Sequence, residues 1–327
     1  MEERYSVETR IHCSKLLLAF IKWIIIGFVS LVVLFFITHN VDLNVHVSLK
    51  EWLSPVKVKQ EPLVCTIETT TQQSTVIIPS AFEHNTCFEF AFLIPTNKTP
   101  PVTTTFHTFW KGREFSKQQL NAVRSFLHTQ PTSNLIVWVF DEESLKKSKR
   151  WQSITTNRVR HQTITDDLIK EIPGTELTEN VIRLATLYQY GGVWFDLNVL
   201  FVRDLSPLLD QEWMSQGNCQ EAKPYRFTGS MMHFFKHSHY LCEILSSGRP
   251  SFDLYSRIYD RYLGHNLKPW TILPWCYTDP AQCNTGHPGT KFDKDKLSSI
   301  FVYHLRPSWW SFTYGSIYKN LTKSLDD

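Results

Sequence analysis

Asp196 and Asn198 stand two residues apart in Val193–Phe201, VWFDLNVLF. In an extended segment, residues two apart share a face and lie about 6.5–7 Å apart. Val193, Phe195, Leu197, Val199 and Phe201 then point one way, and Trp194, Asp196 and Asn198 the other. A carboxylate and an amide oxygen at that spacing can converge on a divalent cation or on sugar hydroxyls. Arg183 lies just upstream, and a rigid guanidinium fork suits clustered oxygens such as phosphates. Asn180 precedes it by three residues, so the two share a side if this stretch is helical. His304 lies in the strand-like run Ile300–Leu305, and a neutral imidazole is a borderline metal ligand. A lone histidine is more often a structural core residue. Asn198 carries no charge, so a cation held by Asp196, Asn198 and His304 would be held less tightly than by two carboxylates.

The elements that must position these groups are legible around them. Val181, Leu184, Leu187 and Tyr188 follow helical spacing. Gly191 is placed to stop the helix in a left-handed conformation, and Gly192 frees the turn into the strand. Upstream, Thr103–Trp110 reads as a strand, Lys117–Leu127 as a helix and Leu135–Phe140 as a wholly apolar strand. Asp166–Ile172 reads as a short helix. Such alternation predicts an α/β domain with a mostly parallel sheet. Ligands of such sheets bind beyond the carboxyl ends of the strands, where Trp110 and the Asp196/Asn198 pair would lie.

The pattern R-x3-L-x2-Y-G-G-x3-D-x-N over Arg183–Asn198 resembles glycosyltransferase family 32, whose signature is Asp-x-Asp. Weaker similarity runs from about Phe106 to Trp310. The resemblance implies a GT-A-like nucleotide-sugar-binding fold and retaining transfer of a sugar to a glycan, glycolipid or glycoprotein acceptor. It assigns Asp196, Asn198 and Arg183 to catalysis, and Mn²⁺ or another divalent cation to Asp196, Asn198 and His304. It places His107, Trp110, Asn180, Arg183 and Asp196 at the donor. Phe106–Trp110 is similar to the family's first strand, I-H-x-x-W, whose Trp stacks on the nucleotide base. By residue type alone Trp110 is as readily a core aromatic. Two carboxylates of the family pattern are amides here, Asn180 and Asn198. That departure keeps a second reading open, a weakened or inactive nucleotide-sugar-binding partner of another transferase.

The 327 residues, 42% hydrophobic and 20% charged, allow a large core, and a net charge of +3 gives no footprint for nucleic acid. Leu16–Ile37 is an apolar run with one charge, Lys22, long enough as a helix to cross a bilayer. Its basic N-terminal flank orients it as a type II anchor, with the remainder in the Golgi or endoplasmic reticulum lumen. A cleaved signal peptide is the rival reading, but its apolar region would be shorter. The expected organisation is a cytoplasmic tail at 1–15, an anchor at 16–37, a partly packed stem at 38–100 and a catalytic domain at 101–327. Six cysteines follow the anchor, an even number that suits disulfides in an oxidising compartment. Cys276 and Cys283 bracket a short loop, and Cys65 and Cys87 are a second candidate pair. Asn97 and Asn320 head glycosylation sequons, Trp270–Cys276 and Trp309-Trp310 are aromatic clusters, and no clustered His/Asp set suggests a metal hydrolase.

Overall fold

A computed structural model describes residues 22–24, 26–31, 65, 91–94, 103–165, 168, 177–217, 227–247, 252–278, 294–305 and 312–325. The chain divides into two compact units, Met1–Gln60 and Glu61–Asp327. In the first, the described residues are helical and exposed. Among the described residues no helix is long and apolar enough to cross a membrane. Most of the expected anchor and stem, the helix expected at 166–172 and Trp309-Trp310 lie outside the described residues.

In the second unit, seven strands form one sheet in the order β3-β2-β1-β4-β7-β6-β8. They are β1 (Thr105–Trp110), β2 (Asn134–Val139), β3 (Val159–Thr163), β4 (Gly192–Phe195), β6 (Trp213–Gln216), β7 (Phe227–Phe234) and β8 (Thr271–Leu273). The β3-β2-β1-β4 ladders and the β6-β8 ladder are parallel, while β7 is antiparallel to both β4 and β6. Of these strands only β7 therefore runs against the others, and the mostly parallel α/β sheet expected of a GT-A-like fold is present. β5 (Val199–Phe201) and β9 (Val302–His304) form a separate antiparallel pair.

Helix α1 (Lys117–Thr129) starts at a capping box, in which Ser116 and Gln119 satisfy each other's backbone N–H groups. Its apolar side packs Phe126 with Phe106, Phe195 and Phe201 on one face of the sheet. Helix α2 (Glu142–Lys147) follows β2 and is capped by Asp141. Helix α3 (Glu179–Tyr190), capped by Thr178, covers the opposite face with α4 (His239–Ser246) and α5 (Phe252–Gly264). The unit is thus a sheet between two helical layers.

The reading of Val193–Phe201 as one strand is corrected. β4 ends at Phe195, Leu197 and Asn198 form a turn, and β5 belongs to the other ladder. The rings of Phe195 and Phe201 meet at 4.9 Å. Six residues of straight strand would hold them about 20 Å apart, so the chain must fold back for both to reach the core beside Phe126.

The candidate pairing of Cys65 with Cys87 is also corrected, because Cys65 is bonded to Cys242 on α4. Cys276 is disulfide-bonded too, and Cys283 lies outside the described residues. The residues before β1 are fastened at another point. Arg203 donates to Ala91 O at 2.7 Å, Ile94 O at 2.6 Å and Ser299 O at 2.6 Å, and Ala91 is fully buried.

Candidate donor site

The site begins with a turn that only glycine accommodates. Gly191 has φ +68° and Gly192 φ +99°, and a Cβ on Gly192 would lie 2.1 Å from Thr105 O. Behind this turn His107 is fully buried. Trp138 Nε1 donates to His107 Nδ1 at 3.2 Å. The proton is therefore on Nε2, which meets Gly191 O at 3.0 Å. Burial lowers the His107 pKa to about 4. The ring is a neutral internal strut, which corrects its expected place at the nucleotide. Trp110 is corrected in the same way. It is 3% exposed and packs on Phe115 at 6.2 Å, on the face opposite Asp196, so neither side of the indole is open to a base.

Three of the expected residues do come together. Arg183, 5% exposed, projects from α3 toward the end of β4. Its Nη2 donates to Asp196 Oδ1 at 3.1 Å and its Nη1 to Asn180 Oδ1 at 3.3 Å. Glu179 Oε1 is 3.6 Å from Nη2, and the guanidinium lies 5.6 Å from the Trp194 ring centre. Trp194 Nε1 donates to the same Asp196 oxygen at 3.0 Å, so Oδ1 is held from two directions. Asp196 N donates to Ser230 O at 2.9 Å, which joins the end of β4 to β7. Below them Tyr255 is buried, feels the charges of both Arg183 and Asp196, and has its pKa pushed up to about 12 by burial.

A pocket of about 340 Å³ opens here, lined by Thr178, Glu179, Asn180, Arg183, Asp196, Thr228, Gly229 and Ser230. That volume suits a small ligand. The β7 contribution, Thr228–Ser230, has no signal in the sequence that ties it to Asp196, because the pairing spans more than thirty residues. Gly229 matters by what it lacks: a Cβ there would lie 1.8 Å from Arg183 Nη1. The charged lining is Glu179 and Asp196 against Arg183, two negative groups and one positive.

Asn198 is outside this lining, in the turn after Asp196. Its Oδ1 is buried without a hydrogen-bond donor, and its backbone oxygen accepts from Leu305 N at 2.6 Å. His304 pairs with Val199, the residue after Asn198, across the β5–β9 ladder. Among the described residues no three His, Cys, Asp or Glu side chains gather to hold a metal. The set offered is one carboxylate, one orphaned amide oxygen and one imidazole. Those donor types fit a hard or borderline divalent cation, and the orphaned oxygen is the feature such an ion would complete.

Residues 116–215, which carry α1 to β6 and hence Arg183 and Asp196, match the family described as glycosyltransferase sugar-binding region containing DXD motif. This stretch of the chain resembles a glycosyltransferase sugar-binding region. The match agrees with the family 32 resemblance of the Arg183–Asn198 pattern. Inositol phosphoceramide mannosyltransferase 3 of Schizosaccharomyces pombe (strain 972 / ATCC 24843) is 25% identical over 153 residues, covering 46% of this chain and 38% of that protein. The chain thus matches well under half the length of that curated relative. Looser structural likenesses are to the PaToxG glycosyltransferase, at TM-score 0.39 and 13% identity over 55% of this chain and 75% of that one. The galactosyltransferase LgtC in complex with donor and acceptor sugar analogs is similar at TM-score 0.36 and 11% identity, over 69% of this chain and 97% of that one.

Proposed function

We propose that this chain is a hexosyl- or N-acetylhexosaminyltransferase. It moves a sugar, with retention, from a nucleotide-sugar donor to a carbohydrate, glycolipid or glycoprotein acceptor. The observation that carries the reading is the pocket in which Arg183, Asn180 and Asp196 converge at the carboxyl edge of the sheet. Supporting it is the sugar-binding-region match over the same residues. The proposed setting is the lumenal face of the Golgi or endoplasmic reticulum membrane, behind an anchor at 16–37. The apolar run and its basic flank support that setting.

Transfer leaves a nucleoside diphosphate carrying negative charge, so positioning and charge stabilisation dominate the rate. Arg183 is the positive group of the lining, and its fork is already aligned by Asn180 and Asp196. Asp196 Oδ1 is committed to Arg183 and Trp194, so a sugar hydroxyl or a cation would meet the carboxylate through Oδ2. With two acids against one base, the lining cannot by itself neutralise a diphosphate. A divalent cation held by Asp196, Asn198 and His304 would supply the missing positive charge. Thr178, Thr228 and Ser230 offer hydroxyls for sugar contacts on the opposite walls.

The test is a panel of UDP-galactose, UDP-glucose, UDP-N-acetylglucosamine and GDP-mannose with the full-length chain, with and without Mn²⁺. GDP-mannose is included because the curated relative is named for mannosyl transfer. Donor hydrolysis or transfer that Arg183→Ala abolishes is the expected result. Nucleotide-sugar binding without turnover would favour the non-catalytic partner. Neither binding nor turnover would overturn both readings.

A further inference from the structure

Among the large apolar side chains on the surface, Phe140 has a particular position. It directly follows β2 and is 45% exposed. A single exposed phenylalanine needs no explanation, but the sheet gives this one a context. Along β1, β2 and the residue just after β2, His107, Phe109, Trp138 and Phe140 alternate onto one face, the face that also carries Trp194. In the parallel ladders Phe109 pairs with Trp138, and His107 with Trp194. That ladder ends at His107 and Trp194; extended two residues past its last pair, the same register would set Phe109 level with Asp196, one strand away. Phe140 lies one strand beyond. At about 4.8 Å per strand, the backbones of Phe109 and Phe140 are one and two strand spacings to the side of Asp196, with Phe140 two residues further along its strand than the partner of Phe109.

Phe109 is only partly buried and meets Phe140 at 5.3 Å with an interplanar angle of 82°. The edge contact fixes Phe140, while much of its surface stays open. The carboxyl edge on this face therefore presents an open aromatic pair beside a pocket of hydroxyls, carboxylates and a guanidinium. The polar half offers hydrogen-bonding partners for a sugar, and the aromatic half fits a flat ring. Trp110, the aromatic that the family pattern marked for the base, is buried on the other face.

We propose that Phe140, backed by Phe109, is the platform on which the nucleobase of the donor stacks. The inference rests on the nucleotide-sugar reading and assigns that site's base-binding residue. Stacking on a phenyl ring is tolerant of base identity, because every base has a π face. The platform therefore supplies affinity, and choice of uracil or guanine falls to other groups.

The experiment measures binding of UDP, GDP and inorganic pyrophosphate to the full-length chain and to its Phe140→Ala and Phe140→Tyr variants. Melting curves check that the exposed substitutions leave the fold intact. Phe140→Ala should weaken whichever nucleoside diphosphate binds by about 5- to 100-fold, with pyrophosphate affected little. Phe140→Tyr should restore the loss. Undiminished nucleotide affinity in Phe140→Ala would overturn the platform while leaving the donor site standing. An equal loss of pyrophosphate binding, or no rescue by Tyr, would also overturn it. A parent chain that binds neither UDP nor GDP would overturn the platform and the nucleotide-sugar reading together.

Discussion

Arg183 and Asp196 define one another. The guanidinium is nearly enclosed, and the carboxylate that faces it is tied a second time by Trp194. Removing one member of such a pair leaves a buried charge without its partner, which costs far more than a surface ion pair. Gly229 makes the arrangement possible. Gly229→Ala would push a methyl into Nη1 and turn the fork away from Asp196. A displacement of about 1 Å in a positioning group can cost about 100-fold in turnover. We expect a loss of that order in donor turnover for Gly229→Ala, and unchanged kinetics would mean that Arg183 is not held for catalysis. Asn198 calls for the second prediction. Its orphaned oxygen is neutral, so Asn198→Asp should lower the Mn²⁺ concentration needed for half-maximal turnover. Asp196→Asn should abolish turnover, since no carboxylate of the motif then remains. A Mn²⁺ titration of the parent and both variants reads this directly, and full parent activity in chelator would remove the cation from the site.

At the scale of elements, the Gly191-Gly192 turn joins α3 to β4 at the one spacing that brings Arg183 over Asp196. The turn is braced from behind by His107, which ties β1 to the Gly191 carbonyl. Trp110 belongs to the opposite layer, with Phe115 and α1. Trp110→Ala should therefore act through packing, at about 3–5 kcal/mol for the loss of a buried large aromatic. The expected result is a lowered denaturation midpoint, with the folded protein keeping its nucleotide affinity. A weakened nucleotide affinity at unchanged stability would return Trp110 to the donor site.

For the whole molecule, the internal histidines set a pH dependence. In the folded chain the His107 pKa is about 4, below its ordinary 6.5. Between those values the unfolded chain holds the extra proton, so stability rises with pH. The contribution is complete above about pH 6.5 and is lost as pH falls toward 4. It amounts to about 2 kcal/mol between pH 7 and pH 5, since each full proton of difference between the two states is worth about 1.4 kcal/mol per pH interval of one. His233, buried between Gly192 O and Leu209 O with its pKa also lowered by burial, acts in the same direction. The melting temperature should fall from pH 7 to pH 5, and His107→Gln, which keeps a donor for Gly191 O, should flatten the slope. An unchanged slope would show that His107 is not the titrating group.

By itself, the sequence determined what is local. A period of 3.6 residues switching to two across a Gly-Gly pair specifies a helix, a turn and a strand, and the i, i+3 spacing of Asn180 and Arg183 follows from helix geometry. Asp196 stood out because a carboxylate at the end of an apolar strand is exceptional, and alternating elements implied the parallel sheet. Tertiary structure decided everything that depends on which distant residue arrives opposite. The strand ends after Phe195 and turns at Leu197 and Asn198 because Phe195 and Phe201 must both reach Phe126. Thr228–Ser230 enter the pocket only through the β4–β7 ladder. His107 and Trp110 are internal because a helical layer covers each face of β1, and Cys65 finds Cys242 across 177 residues. Phe140 gains its place beside Asp196 only from the order and register of β2, β1 and β4. Backbone periodicity is a property of neighbours along the chain, whereas burial and convergence are properties of neighbours in space.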